Sequence, residues 1–302
     1  MKWEQLTSRE FDDAIQHSGG LCVMPLGCLE THGEHLATGC DSVNVIHAVN
    51  QAAELEEVVV FPTGLWLGDM IGSHAMDAQD ACVKHKRGNI ALSPQLLLNI
   101  LSELCEEIHR NGFRKILIVN GHGGNAAVLN YFLRAQNYEK RDYATMWTMF
   151  GQKYHDIDYV YEQVTTRPQD FPALTPEEMA TLERLRETGY GGGHGDFREA
   201  VCCLAAGPEY VRPDKYDSLS GRSTRVASKY GKMGVTCGRA WAANFPNSYS
   251  GFPPFGATEN LGKVYMQLAA EYLAGVFKML KEDELCVALA QHKENEFLAE
   301  NS

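Results

Sequence analysis

Three short stretches of this 302-residue chain concentrate side chains that bind metals or move protons. The first, E-T-H-G-E-H-L-A-T-G-C-D, brings Glu30, His32, Glu34, His35 and Asp41 together. The second, N-G-H-G-G-N, carries His122. The third, G-G-G-H-G-D-F-R-E, carries His194, Asp196 and Glu199. On its own the first stretch is either a polar loop or half of a metal site whose other half lies elsewhere. Charge favours a particular occupancy. If Glu30, His32, Asp41, His122 and Glu199 act together, three carboxylates and two neutral imidazoles carry −3. Two divalent cations bring +4, and the net +1 suits a bridging hydroxide. With one metal the same side chains are oversupplied, because an open catalytic site commonly uses three protein ligands. His47, His109, His155 and His292 read as structural or solvated, and Glu34 as a surface residue.

These groups need a scaffold that makes distant loops converge. "GGLCVMPLG" (19–27), "EEVVVFPTG" (56–64), "RKILIVN" (114–120) and "ATMWTMF" (144–150) are short apolar runs of the kind that form buried strands. Between them lie helical patterns. Ser93 as N-cap, Pro94 at the first helical position and Gly112 past the end bracket one of these helices. Strands alternating with helices predict an α/β fold, with a largely parallel sheet covered on both faces. Glu30, His32 and Asp41 then follow the carboxyl end of one strand, and His122 follows that of another. Ligands in open α/β sheets bind outside the carboxyl ends of the strands, so parallel strands would bring His32 and His122 to one site. The polar stretch 151–193 reads as a helical excursion that could act as a lid, with Thr175 and Glu178 as a capping box. The run 259–282 reads as a long amphipathic helix. The whole chain, 1–302, reads as one domain.

Composition narrows the function. The formal net charge of −12 argues against a nucleic-acid partner. Between Arg212 and Arg239, however, seven Lys/Arg stand against Asp214 and Asp217. That stretch is a solvated loop, or it meets an anionic substrate or an acidic neighbouring subunit. No apolar run reaches the ~18–20 residues of a membrane span. The first residues lack the apolar core of an export signal. Nine cysteines without C-x-x-C spacing read as reduced thiols in a cytoplasmic protein, mostly small core residues.

The stretch "MPLGCLETHGEHLATGCDSV" (24–43) resembles the signature of the creatininase family. "NGHGGN" and "GGHGDFRE" resemble that family's second and third motifs, and "GATENLGK" a fourth near the end of the chain. The similarity runs from about Leu6 to Leu280. It implies a three-layer α/β/α sandwich and a homo-oligomer, often a hexamer. It also implies a hydrolase with two divalent metal ions, zinc, manganese or iron. Carboxylate and imidazole ligands suit all three metals. Carried over by position, Glu30 and His122 would bind one metal and His32 the other, with Asp41 bridging. Creatininase itself takes its last ligand from a glutamate two residues after the second-motif histidine. Gly124 stands there in this chain, which sets it outside the true creatininases and passes the role to Glu199. His194 matches the proton shuttle. Ala37, Cys40, Ala200, Val201 and the segment 87–92 also depart from the family pattern, which changes substrate contacts more than the ligand set.

The expected reaction is hydrolysis of a carbon–nitrogen bond in a small cyclic amide or formamide-like molecule. His194 or Glu199 would move the proton to the leaving nitrogen. Asp196 would sustain His194, and the glycines at 191–193 would let it move. Trp66, Trp147 and Tyr190, with Asp196, are the candidates for the pocket wall. Two other readings stand beside it, the first of them implied by the resemblance, which also reaches enzymes of oxidised sugars and cyclitols. One is metal-dependent chemistry on an oxidised sugar or cyclitol, and the other is metal binding without catalysis.

Overall fold

Strand β1 (Leu21–Leu26) is buried along its whole length, and its side chains alternate between two apolar clusters. Leu21 and Val23 face one cluster, and Cys22, Met24 and Leu26 the other. This period of two, with no polar face, is what a strand covered on both sides requires. The computed structural model describes residues 1–62, 88–90, 92–293 and 295–298. Its sheet continues with β2 (Val59–Val60), β3 (Lys115–Asn120) and β4 (Ala144–Met149). The order is β2-β1-β3-β4 and every pairing is parallel, with Leu21 opposite Lys115 and Leu26 opposite Asn120.

Helices close both faces. On one side pack α1 (Phe11–His17), α3 (Pro94–Arg110) and α4 (Asn125–Gln136), while α2 (Cys40–Leu55) lies on the opposite side. With α2 pack α5 (Ile157–Thr166), α6 (Pro176–Glu187), α7 (Phe197–Ala206) and a long helix at Glu259–Glu282. Two short helices, α8 (Ser228–Lys232) and α9 (Ala240–Asn244), precede that long helix, which is α10. The architecture is thus the expected three-layer α/β/α sandwich with a parallel sheet.

Local signals account for the helix ends. Ser93 caps α3 by accepting from Leu96 N–H, and Pro94 opens it. The Thr175–Glu178 capping box forms at the start of α6. Along α10 the buried Leu261, Val264, Tyr265, Leu268 and Ala269 recur at helical spacing. The segment 151–193 contributes Ile157, Val160, Val164, Leu182 and Leu185 to the same cluster as α2 and α10. No described helix is long and apolar enough to cross a membrane. Six of the eight described cysteines are buried and all eight are free.

A candidate metal centre at the carboxyl ends of the strands

The loop after β1 and the loop after β3 meet because their strands are parallel neighbours. Glycine makes the approach possible. A Cβ at Gly27 would strike Ser42 of α2, and one at Gly121 would strike the carbonyl of Asp41. The two asparagines of the second motif brace its loop. Asn120 Oδ1 accepts from His122 N–H and from Asn125 Nδ2, while Asn120 Nδ2 donates to the His122 carbonyl. Asp41 enters the site from the first turn of α2, and Glu199 from the first turn of α7.

The result is a buried cluster of carboxylates and imidazoles. Glu30, 1% exposed, places Oε1 3.1 Å from His122 Nδ1, 3.3 Å from His194 Nδ1 and 3.8 Å from His32 Nε2. Asp41 divides its oxygens: Oδ2 lies 2.9 Å from His122 Nδ1 and Oδ1 lies 3.3 Å from His32 Nε2. Glu199 Oε2 is 3.5 Å from His32 Nε2 and accepts from Gly195 N–H at 2.6 Å. All five residues expected as ligands are therefore neighbours. Cys28 joins them, its thiol donating to Asp41 Oδ2. Burial, then the Asp41 charge, hold that thiol well above its usual range, so it stays protonated.

Electrostatics follow from burial and pairing. Burial opposes charge on His32 and His122, but Asp41 and Glu30 outweigh it and raise both imidazoles. Burial likewise opposes ionisation of Glu30, and His122 and His194 hold its carboxyl down to about 2. Burial pushes Glu199 up to about 7, with Asp41 and Asp196 adding to it against His32.

The donor set fits a metal pair. His32 Nδ1–H donates to the Glu30 carbonyl at 3.0 Å, which turns Nε2 toward the carboxylates. Nε2 is buried and makes no hydrogen bond, the expected state of a lone pair reserved for a cation. Ligand atoms within 4.8 Å of one another occur in overlapping groups: Cys28, Glu30, Asp41 and His122; Glu30, His32 and His194; His32, Cys40 and Asp41.

His194 lies within this cluster, as expected, but its surroundings differ from expectation. Its ring stacks on His32 at 4.0 Å, and its Nε2–H donates to the Thr31 carbonyl at 2.9 Å. The carboxylate beside Nδ1 is Glu30, not Asp196. Asp196 is fully buried and caps α7, accepting from Glu199 N–H and from the Tyr190 hydroxyl at 2.5 Å. The glycines before His194 do not free it. Its backbone is paired in both directions with Ser250, and Gly193 is needed because a Cβ would meet the Ser250 carbonyl.

A cavity of about 460 Å³ opens over Glu30, Asp41, His122, His194 and Glu199. Its wall differs from the expected one. Trp66 lies outside the described residues. Trp147 does not line the cavity; it donates to Asn130 and packs on the far face of the sheet. Tyr190 and Asp196 sit behind the wall and hold α7 in place. The wall is built instead from Met149, Phe150, Tyr154, His155, Arg198 and Trp241. Trp241 stands edge-on to His194 with ring centres 5.2 Å apart. His155, read from the sequence as structural, borders the cavity. Arg198 belongs to the third motif without having been singled out there, and the other wall residues come from three separate segments that no spacing signal marked.

Solved structures share this architecture. Creatininase superposes with a TM-score of 0.65 at 19% identity, covering 93% of this chain and 98% of that one. A Zn–Zn type creatininase variant gives a TM-score of 0.64 at 18% identity, covering 93% and 98% of the two chains. The structure named creatininase Mn gives 0.64 at 18%, covering 93% and 99%. The creatinine amidohydrolase of Pseudomonas putida is 25% identical over 211 residues, 70% of this chain and 74% of that protein. The sequence model of the creatininase family, described as creatinine amidohydrolase, matches residues 4–277, and the chain belongs to that family.

Proposed function

We propose that this protein hydrolyses a carbon–nitrogen bond of a small cyclic amide or formamide-like molecule, using two divalent cations. The observation that carries the reading is Asp41, whose two oxygens face the imidazoles of two different motifs. Glu30, His122 and Asp41 would hold one ion, and His32, Asp41 and Glu199 the other. Related structures of Zn–Zn type and with Mn support these metals. When bound, such a pair supplies a nucleophilic oxygen at neutral pH and polarises the scissile carbonyl.

The chain's own groups do the rest. His194 commits Nε2 to the Thr31 carbonyl, so Nδ1 is the ring atom that faces the cluster. It is the atom that passes a proton to the leaving nitrogen. Trp241, packed against that ring, limits its rotation. The cavity over the cluster holds the amide against it.

Metal analysis beside turnover of lactams and ketosugars tests this. About two ions per chain, with turnover of cyclic amides, is the expected result. Turnover of ketosugars alone would move the chemistry to oxidised sugars. His194→Ala should lower kcat about 100-fold or more with metal content unchanged. Loss of an ion in that variant would make His194 a ligand, which its place beside Glu30 and His32 allows.

A further inference from the structure

Among the described residues, the cavity wall contains a cation, Arg198, whose hydrogen-bonding capacity is only partly used. Arg198 is 8% exposed and lines the cavity next to Glu199. Its Nη1 has no hydrogen-bond partner, and its Nη2 reaches the Gly193 carbonyl only at 3.4 Å. Among the described residues no carboxylate forms an ion pair with it. Burial opposes its charge and Asp196, Tyr190 and Glu199 favour it, but both Asp196 oxygens are occupied by Tyr190 and Glu199 N–H. His155 on the same wall is neutral, pushed down to about 4 by burial and then by the Arg198 charge. A buried guanidinium left in this state is costly unless an acceptor arrives. The planar fork of Arg matches a carboxylate, which can accept two parallel N–H groups. The seven cations between Arg212 and Arg239 cannot take this role, since all are exposed and none lines the cavity.

We propose that Arg198 binds a carboxylate of the substrate, so that the preferred substrates are small cyclic amides bearing an acid group. This rests on the amidohydrolase reading of the same cavity. The test is calorimetric binding to the metal-loaded protein, with 5-oxoproline and hydantoin-5-acetate each compared with its carboxamide. The acids should bind roughly ten- to hundredfold more tightly than the amides. Arg198→Gln should reduce acid binding to the amide level, with metal content and amide affinity unchanged. Equal affinity for acid and amide in the wild type overturns the proposal. So does an acid preference that survives Arg198→Gln, which would place the acid on the metals. Equal weakening of both ligands, or loss of metal, would make Arg198 a positioning residue and also overturn it. If Arg198→Gln fails to fold, Arg198→Lys carries the test: it keeps the charge but loses the fork. Its acid preference should fall several-fold, and full retention overturns the proposal. Hydrolysis is scored separately. Acid-selective binding that depends on Arg198, without turnover of any amide, leaves Arg198 assigned and removes the amidohydrolase reading.

Discussion

His32 and His122 must be neutral to hold a metal, yet without metal Asp41 and Glu30 keep both imidazoles protonated above their usual range. Metal binding at neutral pH therefore displaces a proton from each, and apparent metal affinity rises with pH. Calorimetry in buffers of different ionisation enthalpy should show this release. A binding enthalpy that is the same in every buffer would refute it. The metal-free chain has the opposite slope. Its raised histidines contribute stability in full below about pH 6.5, and that stability is lost as pH rises through their folded-state values. Asp41 is the residue whose two oxygens face both His32 and His122. Asp41→Asn removes one charge from two imidazoles at once, so elemental analysis should find fewer than about one ion per chain. Retention of both ions would exclude a bridging role.

At the scale of elements, the third motif acts through helix α7. Asp196 caps it, Tyr190 bonds both Asp196 and the Arg198 amide, and the first turn delivers Glu199. Asp196→Ala should cost about 2 kcal/mol, combining a lost N-cap with an unpaired buried hydroxyl. Urea unfolding of the metal-free protein measures this, and an unchanged midpoint would show that the cap is dispensable. The same variant should weaken metal retention, since Glu199 loses its fixed approach. The cap residues of α3 and α6 were legible because Ser, Thr and Pro carry their own local geometry. Asp196 was legible as a polar group near the site but not as a cap. Its partner, Tyr190, had been expected on the cavity wall, and side-chain direction is decided by packing.

For the whole molecule, the centre ties the carboxyl ends of the two central strands to helices on one face. Its candidate ligands come from the loop after β1, the start of α2, the loop after β3 and the start of α7. A ligand that joins so many segments stabilises the folded chain by mass action. Removing metal with a chelator should lower the unfolding temperature by about 5 °C or more, given roughly 3 kcal/mol at a hundredfold excess over Kd. Scanning calorimetry with and without chelator measures the shift. An identical transition would mean that the cluster holds no metal in solution.

The sequence by itself determined the sheet class and which carboxylates and imidazoles would cluster. Buried parallel strands have continuous apolar runs, and metal-type residues at strand ends announce themselves by type and spacing. Only the tertiary structure decided the cavity wall. His155, Tyr154 and Trp241 lie on segments without a motif, Arg198 sits unmarked inside the third motif, and folding brings them together around the cluster. Trp147 points to the other face because alternation along β4 sends neighbouring side chains to opposite sides of the sheet. The types and spacing of metal-binding side chains are written locally in the chain, whereas a pocket's lining depends on long-range packing, which local spacing does not encode.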